Sequence, residues 1–155
     1  MTRIERSIVI DRPVEEVWEF AHDLEKAALW QTTLTESEQL SEGPMGLGTK
    51  VRQVRHFLGV RVEMGWEVTE YEPTASSAIR SISGPIPLSG SYRLEPADDG
   101  TRLTVTGELD AHGFFKLAEP VFARITGREL ESNLGHLKDL LEASTAEAEP
   151  ALASR

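Results

Sequence analysis

From Val60 to Val68 the chain alternates strictly. Val60, Val62, Met64, Trp66 and Val68 share one parity, while Arg61, Glu63, Glu67 and Thr69 take the other. Consecutive side chains of a strand leave opposite faces of a sheet, so this period of two fits a strand with one buried face and one wet face. Such a strand needs partners along both edges and something apolar over its dry side. The flanking sequence supplies both.

From residue 33 to about 110, strand-like runs are separated by Gly43-Pro44, Leu58-Gly59, Glu72-Pro73-Thr74, Gly84-Pro85 and Asp98-Asp99-Gly100, which predicts an antiparallel meander. Its last two members carry Leu88, Gly90, Tyr92 and Leu94, then Leu103, Val105, Gly107 and Leu109, on the apolar parity. Glycines there imply sharp bending or close approach of another element. Between residues 48 and 58 the alternation falters at Val51, Val54 and Phe57, and His56 is assigned to neither face. Before the meander, Ile4, Ile8 and Ile10 mark an opening strand. Pro13 starts a helix with Glu15 and Glu16 in its first turn and Val14, Val17, Trp18 and Ala21 at helical spacing. Asp23 caps a second short helical run through Ala27, Ala28, Leu29 and Trp30.

After the meander, residues 114 to about 143 switch to helical period. Phe115, Phe122, Leu130, Leu134, Leu137 and Leu141 fall in one broad arc, with Arg124, Arg128 and Lys138 away from its centre. Pro120 either kinks this helix or marks its true start. One domain over residues 1–143 follows, with 144–155, which have no periodic apolar face, expected as a disordered tail.

Composition removes several functions. The 155 residues are 39% hydrophobic and 27% charged, as in a folded globular chain, and the formal charge of -10 opposes phosphate backbones and anionic bilayers. Neither nucleic acid nor membrane is therefore expected as a partner. Without cysteine there is no disulfide, thiolate metal site or Cys nucleophile. The N-terminus has no apolar leader-like core and no stretch is long enough to span a bilayer, so a cytoplasmic location is expected.

The order strand, two short helices, six-stranded meander and long C-terminal helix resembles the helix-grip fold of the START-like, or SRPBCC, superfamily. Ser7-Ile-Val-Ile-Asp-Arg-Pro-Val-Glu-Glu-Val-Trp18 is similar to its opening strand and helix. Trp30, Gly48-Thr49, Gly59, Trp66-Glu67-Val68-Thr69-Glu70-Tyr71-Glu72-Pro73, Gly100-Thr101 and Leu134-Gly-His-Leu-Lys-Asp-Leu-Leu-Glu142 are similar to its polyketide cyclase/dehydrase-like branch. The resemblance covers residues 3 to 143. It implies an α+β fold: a curved seven-stranded antiparallel sheet wrapped around the C-terminal helix, with two short helices after the first strand. That fold hosts carriers, receptors, cyclases and dehydratases, so function has to be argued from the site.

A strongly curved sheet cannot press its whole concave face onto one helix, and the gap is the expected site for a small hydrophobic ligand. The expected lining comprises Trp30, Val62, Met64, Trp66, Ile79, Tyr92, Leu94 and Val105, with Phe115, Phe122 and Ile125 from the helix. Most apolar positions in such a set simply fill a core. Polar positions are more informative: Glu129 and Asn133 lie inside the helix's apolar arc, and with Tyr92 they are candidates for proton transfer. Glu129 at the edge of the arc, bonded to an arginine or to solvent, and Asn133 tied to a backbone group are the plainer alternatives. The family's cavity arginine is not located, since Arg61 falls on the polar parity.

His22, His56, His112 and His136 show no metal spacing, and no metal or cofactor is expected. His22 and His112 stand where they could edge a cavity mouth, and Gly43-Pro-Met-Gly-Leu-Gly48 reads as a hairpin loop able to gate it. Ser81, Ser83 and Ser89 lack the surroundings of a nucleophile. Two functions remain: a carrier or sensor of a lipid- or polyketide-like molecule, and a cyclase or dehydratase using the same pocket. Either works as monomer or homodimer.

Overall fold

The computed structural model describes residues 2–57, 59–109 and 114–153, and no side chains are described at 114–116 or 144–153. Strand β1 (Thr2–Ile10) leads into helices α1 (Val14–His22) and α2 (Ala27–Trp30). Six strands follow: β2 (Leu34–Gln39), β3 (Lys50–Phe57), β4 (Val60–Glu72), β5 (Ser76–Ser83), β6 (Leu88–Ala97) and β7 (Gly100–Leu109). Helix α3 (Phe114–Ala153) ends the chain. The seven strands form one antiparallel sheet in the order β1-β7-β6-β5-β4-β3-β2. This is the α+β helix-grip arrangement that the element order predicts. Register shifts at Leu34/Glu36, Gly65/Trp66 and Val68/Glu70 break the ladders of the β2–β5 half. Bulges of this kind bend and twist a strand, which helps curl the sheet.

Helix α3 begins at Phe114, so Pro120 lies inside it, and its backbone continues to Ala153 through the positions read from sequence as a tail. Alanine and glutamate recur there and favour helix intrinsically, which a search for an apolar face does not register. Its C-terminal half is fastened to β1 and to the following turn. Arg12 Nε donates to the Leu141 carbonyl (2.9 Å), Lys138 Nζ to the Val9 carbonyl (2.7 Å), and the Asp11 N–H to a Glu142 carboxylate oxygen (3.1 Å). Nearer its start, Arg6 reaches from β1 over Gly127 to Glu131 (2.7 Å). A Cβ at position 127 would stand 2.8 Å from the Arg6 guanidinium, so glycine makes room for this crossing.

The main core lies under that fastened half. Ile10, Leu94, Leu103 and Val105 of the sheet pack with Val17, Trp18 and Ala21 of α1, Trp30 of α2, and Leu134, Leu137 and Leu141 of α3. Leu103, Leu137 and Val17 are wholly inaccessible. Helix α1 has no side-chain cap at Pro13, and its stability comes mainly from this burial and from the two glutamates beside its N-terminal dipole.

Candidate functional site

The concave face divides into two parts. A second cluster, Val51, Met64 and Trp66, with Leu24, Met45, Val62, Ile79 and Leu88 against it, occupies the β3–β5 side away from the main core. Several inward positions here, Val62, Ile79, Leu88 and Tyr92 among them, keep accessible surface. Gly90 and Gly107 face each other across β6 and β7 on this inner parity. A Cβ on Gly107 would meet only the Ser89 carbonyl at 4.0 Å, and one on Gly90 only Thr106 O at 3.6 Å and Ile79 at 3.9 Å. These are all sheet atoms. Of the two roles foreseen for these glycines, close approach of another element is thus not seen among the described residues.

A polar group stands between the two clusters. Arg55 of β3 lies opposite Val62 and therefore shares its inward face. Its Nη2 donates to Gln31 Oε1 (2.6 Å) and Gln53 Oε1 (3.3 Å), and its Nη1 to Thr33 Oγ1 (3.2 Å). The Thr33 hydroxyl in turn donates to Glu129 Oε1 of α3 (2.6 Å). All direct acceptors of the guanidinium are neutral, and among the described residues no carboxylate pairs with it. Burial pushes the Arg55 pKa down, against the opposing influence of Glu129 and Tyr92. Arginine nevertheless stays charged at any working pH. Desolvation drives the Tyr92 phenol up to about 12, with Arg55 pulling the other way, so Tyr92 is a neutral donor. Asn133 faces the same joint, accepting from the Thr32 N–H (3.2 Å) and hydroxyl (3.4 Å).

His22, the last residue of α1, stacks on Trp18 with ring centroids 3.9 Å apart and meets Tyr71 and Tyr92 edgewise. Its Nδ1 lies 2.8 Å from the Trp18 carbonyl, which can only accept, so the proton sits on Nδ1. Nε2 then accepts from the Ser77 hydroxyl at 2.7 Å. Burial lowers the His22 pKa, partly offset by the Trp18 bond, and favours the neutral ring. Beside it opens a cleft of about 420 Å³ between the α1–α2 joint and the β2–β3 hairpin, walled by His22, Leu24, Ser37, Gln39 and Met45. Met45, from the glycine loop, packs with Leu24 against the Trp66 cluster and closes the floor of this cleft.

The sequence-derived lining is therefore distributed. Val62, Met64, Trp66 and Ile79 stand together in the second cluster. Trp30, Leu94 and Val105 pack in the main core with Tyr92 against it, near enough to Arg55 for each to influence the other's charge. Phe122 meets Phe57 at 5.5 Å between α3 and the β3–β4 tip, with Ile125 on the next turn half-buried. Phe115 and His112 lie outside the described side chains. Among the described residues no group of three metal-ligating side chains occurs. The indole N–H groups of Trp30 and Trp66 are buried with no hydrogen-bond partner among the described residues.

Arg55, Gln31, Gln53 and Thr33 escape the sequence reading, although one signal pointed to them. The two-residue connection at 58–59 sets Phe57 opposite Val60, and hence Arg55 opposite Val62 and Gln53 opposite Met64. Val54 obscured it. That valine sits on the outer parity yet is 1% exposed, flanked by Glu36, Glu63 and Arg52, whose ion pairs crowd the convex face.

Known proteins with this architecture share the topology at low identity. A Thermus thermophilus protein, TTHA0849, superposes with a TM-score of 0.80 at 22% identity, covering 92% of this chain and 99% of its own. A Streptomyces aromatase/cyclase gives 0.76 at 20% identity, over 91% and 93% of the two chains. A START superfamily protein from Mycobacterium smegmatis gives 0.76 at 15%, over 91% and 97%. No curated protein matches the sequence. The sequence does match a family profile described as polyketide cyclase / dehydrase and lipid transport, over residues 1–142. With the match running from the first strand into the last turns of the packed helix, the chain belongs to the polyketide cyclase/dehydrase and lipid transport family.

Proposed function

We propose that the domain over residues 1–143 binds one small hydrophobic molecule between α3 and the β3–β6 part of the sheet, as a carrier or sensor. The observation that carries this is Arg55. A guanidinium on a largely apolar inner face, with only neutral oxygens as direct acceptors and Glu129 reached only through Thr33, carries a positive charge that is only partly offset. An apolar molecule with an acidic or strongly polarised oxygen supplies the missing partner, and Tyr92 adds a neutral donor. Val62, Ile79, Leu88 and the window over Gly90 and Gly107 take its apolar body.

The second reading is a cyclase or dehydratase. It is favoured by the same group, because Arg55 and Tyr92 can stabilise an enolate while Glu129, reached through Thr33, takes up a proton. Similarity in fold to an aromatase/cyclase is compatible with it.

Native mass spectrometry of protein purified from its own source asks whether a small molecule travels with the chain. Displacement of an anionic naphthalene dye then tests the site. Arg55→Met is expected to weaken dye binding at least tenfold, and Trp66→Ala to alter it. Isotherms superimposable on the parent's for both variants refute the assigned lining.

A further inference from the structure

Helix α3 carries two unlike faces, and the outward one is not explained by ligand binding. On a wheel turning about 100° per residue, Leu117, Val121, Arg124 and Arg128 fall within about 60° of one another. Leu117 is 84% and Val121 63% exposed, and both arginines are exposed without an ion pair among the described residues. Large aliphatics left this open beside unpaired arginines mark a contact surface rather than a solvated one.

We infer that this stripe docks the protein onto the surface of a bilayer containing anionic phospholipid, with Leu117 and Val121 entering the interface and Arg124 and Arg128 meeting headgroup phosphates. The net charge of -10 argues against this only if charge acts over the whole molecule. At physiological salt it acts over about 8–10 Å. Among the acids of α3 nearest the stripe, Glu131 is neutralised by Arg6 (2.7 Å), Glu129 is turned inward to Thr33, and Glu119 lies on the opposite arc of the helix. The next outward acid, Asp139, is roughly 16 Å beyond Arg128 at about 1.5 Å per residue. The stripe of α3 from Leu117 to Arg128 is therefore basic although the protein is acidic. A second copy is a poorer occupant: a two-fold antiparallel pairing centred on the stripe sets Arg128 against Leu117 and Arg124 against Val121, matching neither charge nor greasiness. The inference stands independently of what the interior holds.

Sedimentation with vesicles tests it, using phosphatidylcholine alone and phosphatidylcholine mixed with phosphatidylglycerol. The full chain is expected to pellet with the mixed vesicles and far less with the neutral ones. Arg124→Gln with Arg128→Gln should lower the apparent affinity for mixed vesicles about tenfold or more. Leu117→Ser with Val121→Ser should abolish binding to both. All four positions are exposed, so the fold should be retained, which circular dichroism checks. No pelleting with mixed vesicles, or pelleting unchanged by both double variants, overturns the inference. So does a dimer in light scattering that Leu117→Ser with Val121→Ser dissolves.

Discussion

The two halves of the concave face are built from similar residue types and packed to different ends. Beneath the C-terminal half of α3, Ile10, Leu103, Leu137 and Val17 are fully enclosed. Toward β3–β6, Val62, Ile79 and Leu88 lie on the inner parity yet keep accessible surface, and within 4 Å of where a Cβ on Gly90 or Gly107 would stand only sheet atoms are found among the described residues. The first half is fastened by Arg12, Lys138 and Glu142. The second is crossed by the Arg55–Thr33–Glu129 chain. The contrast teaches that hydrophobicity alone does not decide which inward positions end up fully enclosed. What differs is how completely the inward side chains are covered, and whether a guanidinium with no carboxylate among its direct acceptors stands beside them.

The sharpest way to break this comparison is to remove the same kind of side chain from each half. Leu137→Ala leaves a void in a fully packed site and should cost about 2–5 kcal/mol in chemical denaturation. Ile79→Ala removes a half-accessible group and should cost only about 1 kcal/mol while changing dye affinity. Equal losses from the two would erase the distinction.

Arg55→Met comes next in size. Losing the guanidinium removes a desolvated charge but leaves the Gln31, Gln53 and Thr33 oxygens without that donor, so stability should fall by about 1–3 kcal/mol. Dye affinity should meanwhile fall at least tenfold. A large stability loss with unchanged binding would make Arg55 a structural residue.

A smaller effect concerns His22. Burial holds its pKa below the ordinary 6.5, so the unfolded chain binds more protons in that region of pH. The stability due to the neutral ring is complete above 6.5 and declines as pH falls through the depressed value. Thermal unfolding from pH 7.5 down to about 5 should show this decline in the parent, and His22→Gln should flatten it. Tyr92 acts at the other extreme. Its raised value favours the folded state up to about pH 10, and that contribution is lost as pH climbs toward about 12. Smallest of all is the exposed Arg3–Glu5 pair at 3.4 Å, where Arg3→Ala should change stability by less than about 0.5 kcal/mol.

Fold and site were unequally legible in the sequence. Strict alternation from Val60 to Val68 and the leucine spacing at 130, 134, 137 and 141 are local signals, each tied to one element's buried face, and they led to the sheet and the long helix. The site is non-local. Arg55 binds residues from the end of α2 and the segment after it, and Glu129 enters only through Thr33, 96 positions away. Single-strand parity does not reveal such a grouping, and Val54, buried on the outer face, disguised the parity of β3. Register was the remaining clue, because a two-residue connection between Phe57 and Val60 aligns Arg55 with Val62. Glu129 and Asn133 were found because polar residues inside an apolar arc need a reason, and both have hydrogen-bond partners in the structure.

The most direct test of the central claim is a methyl and aromatic NMR titration with 2-naphthoic acid, a greasy body carrying one carboxylate. Saturable shifts at Val62, Ile79, Leu88 and Tyr92, absent at Leu103 and Leu137 and lost in Arg55→Met, are the predicted result. Shifts spread evenly over both halves, or confined to outward-facing residues of the sheet, would contradict it.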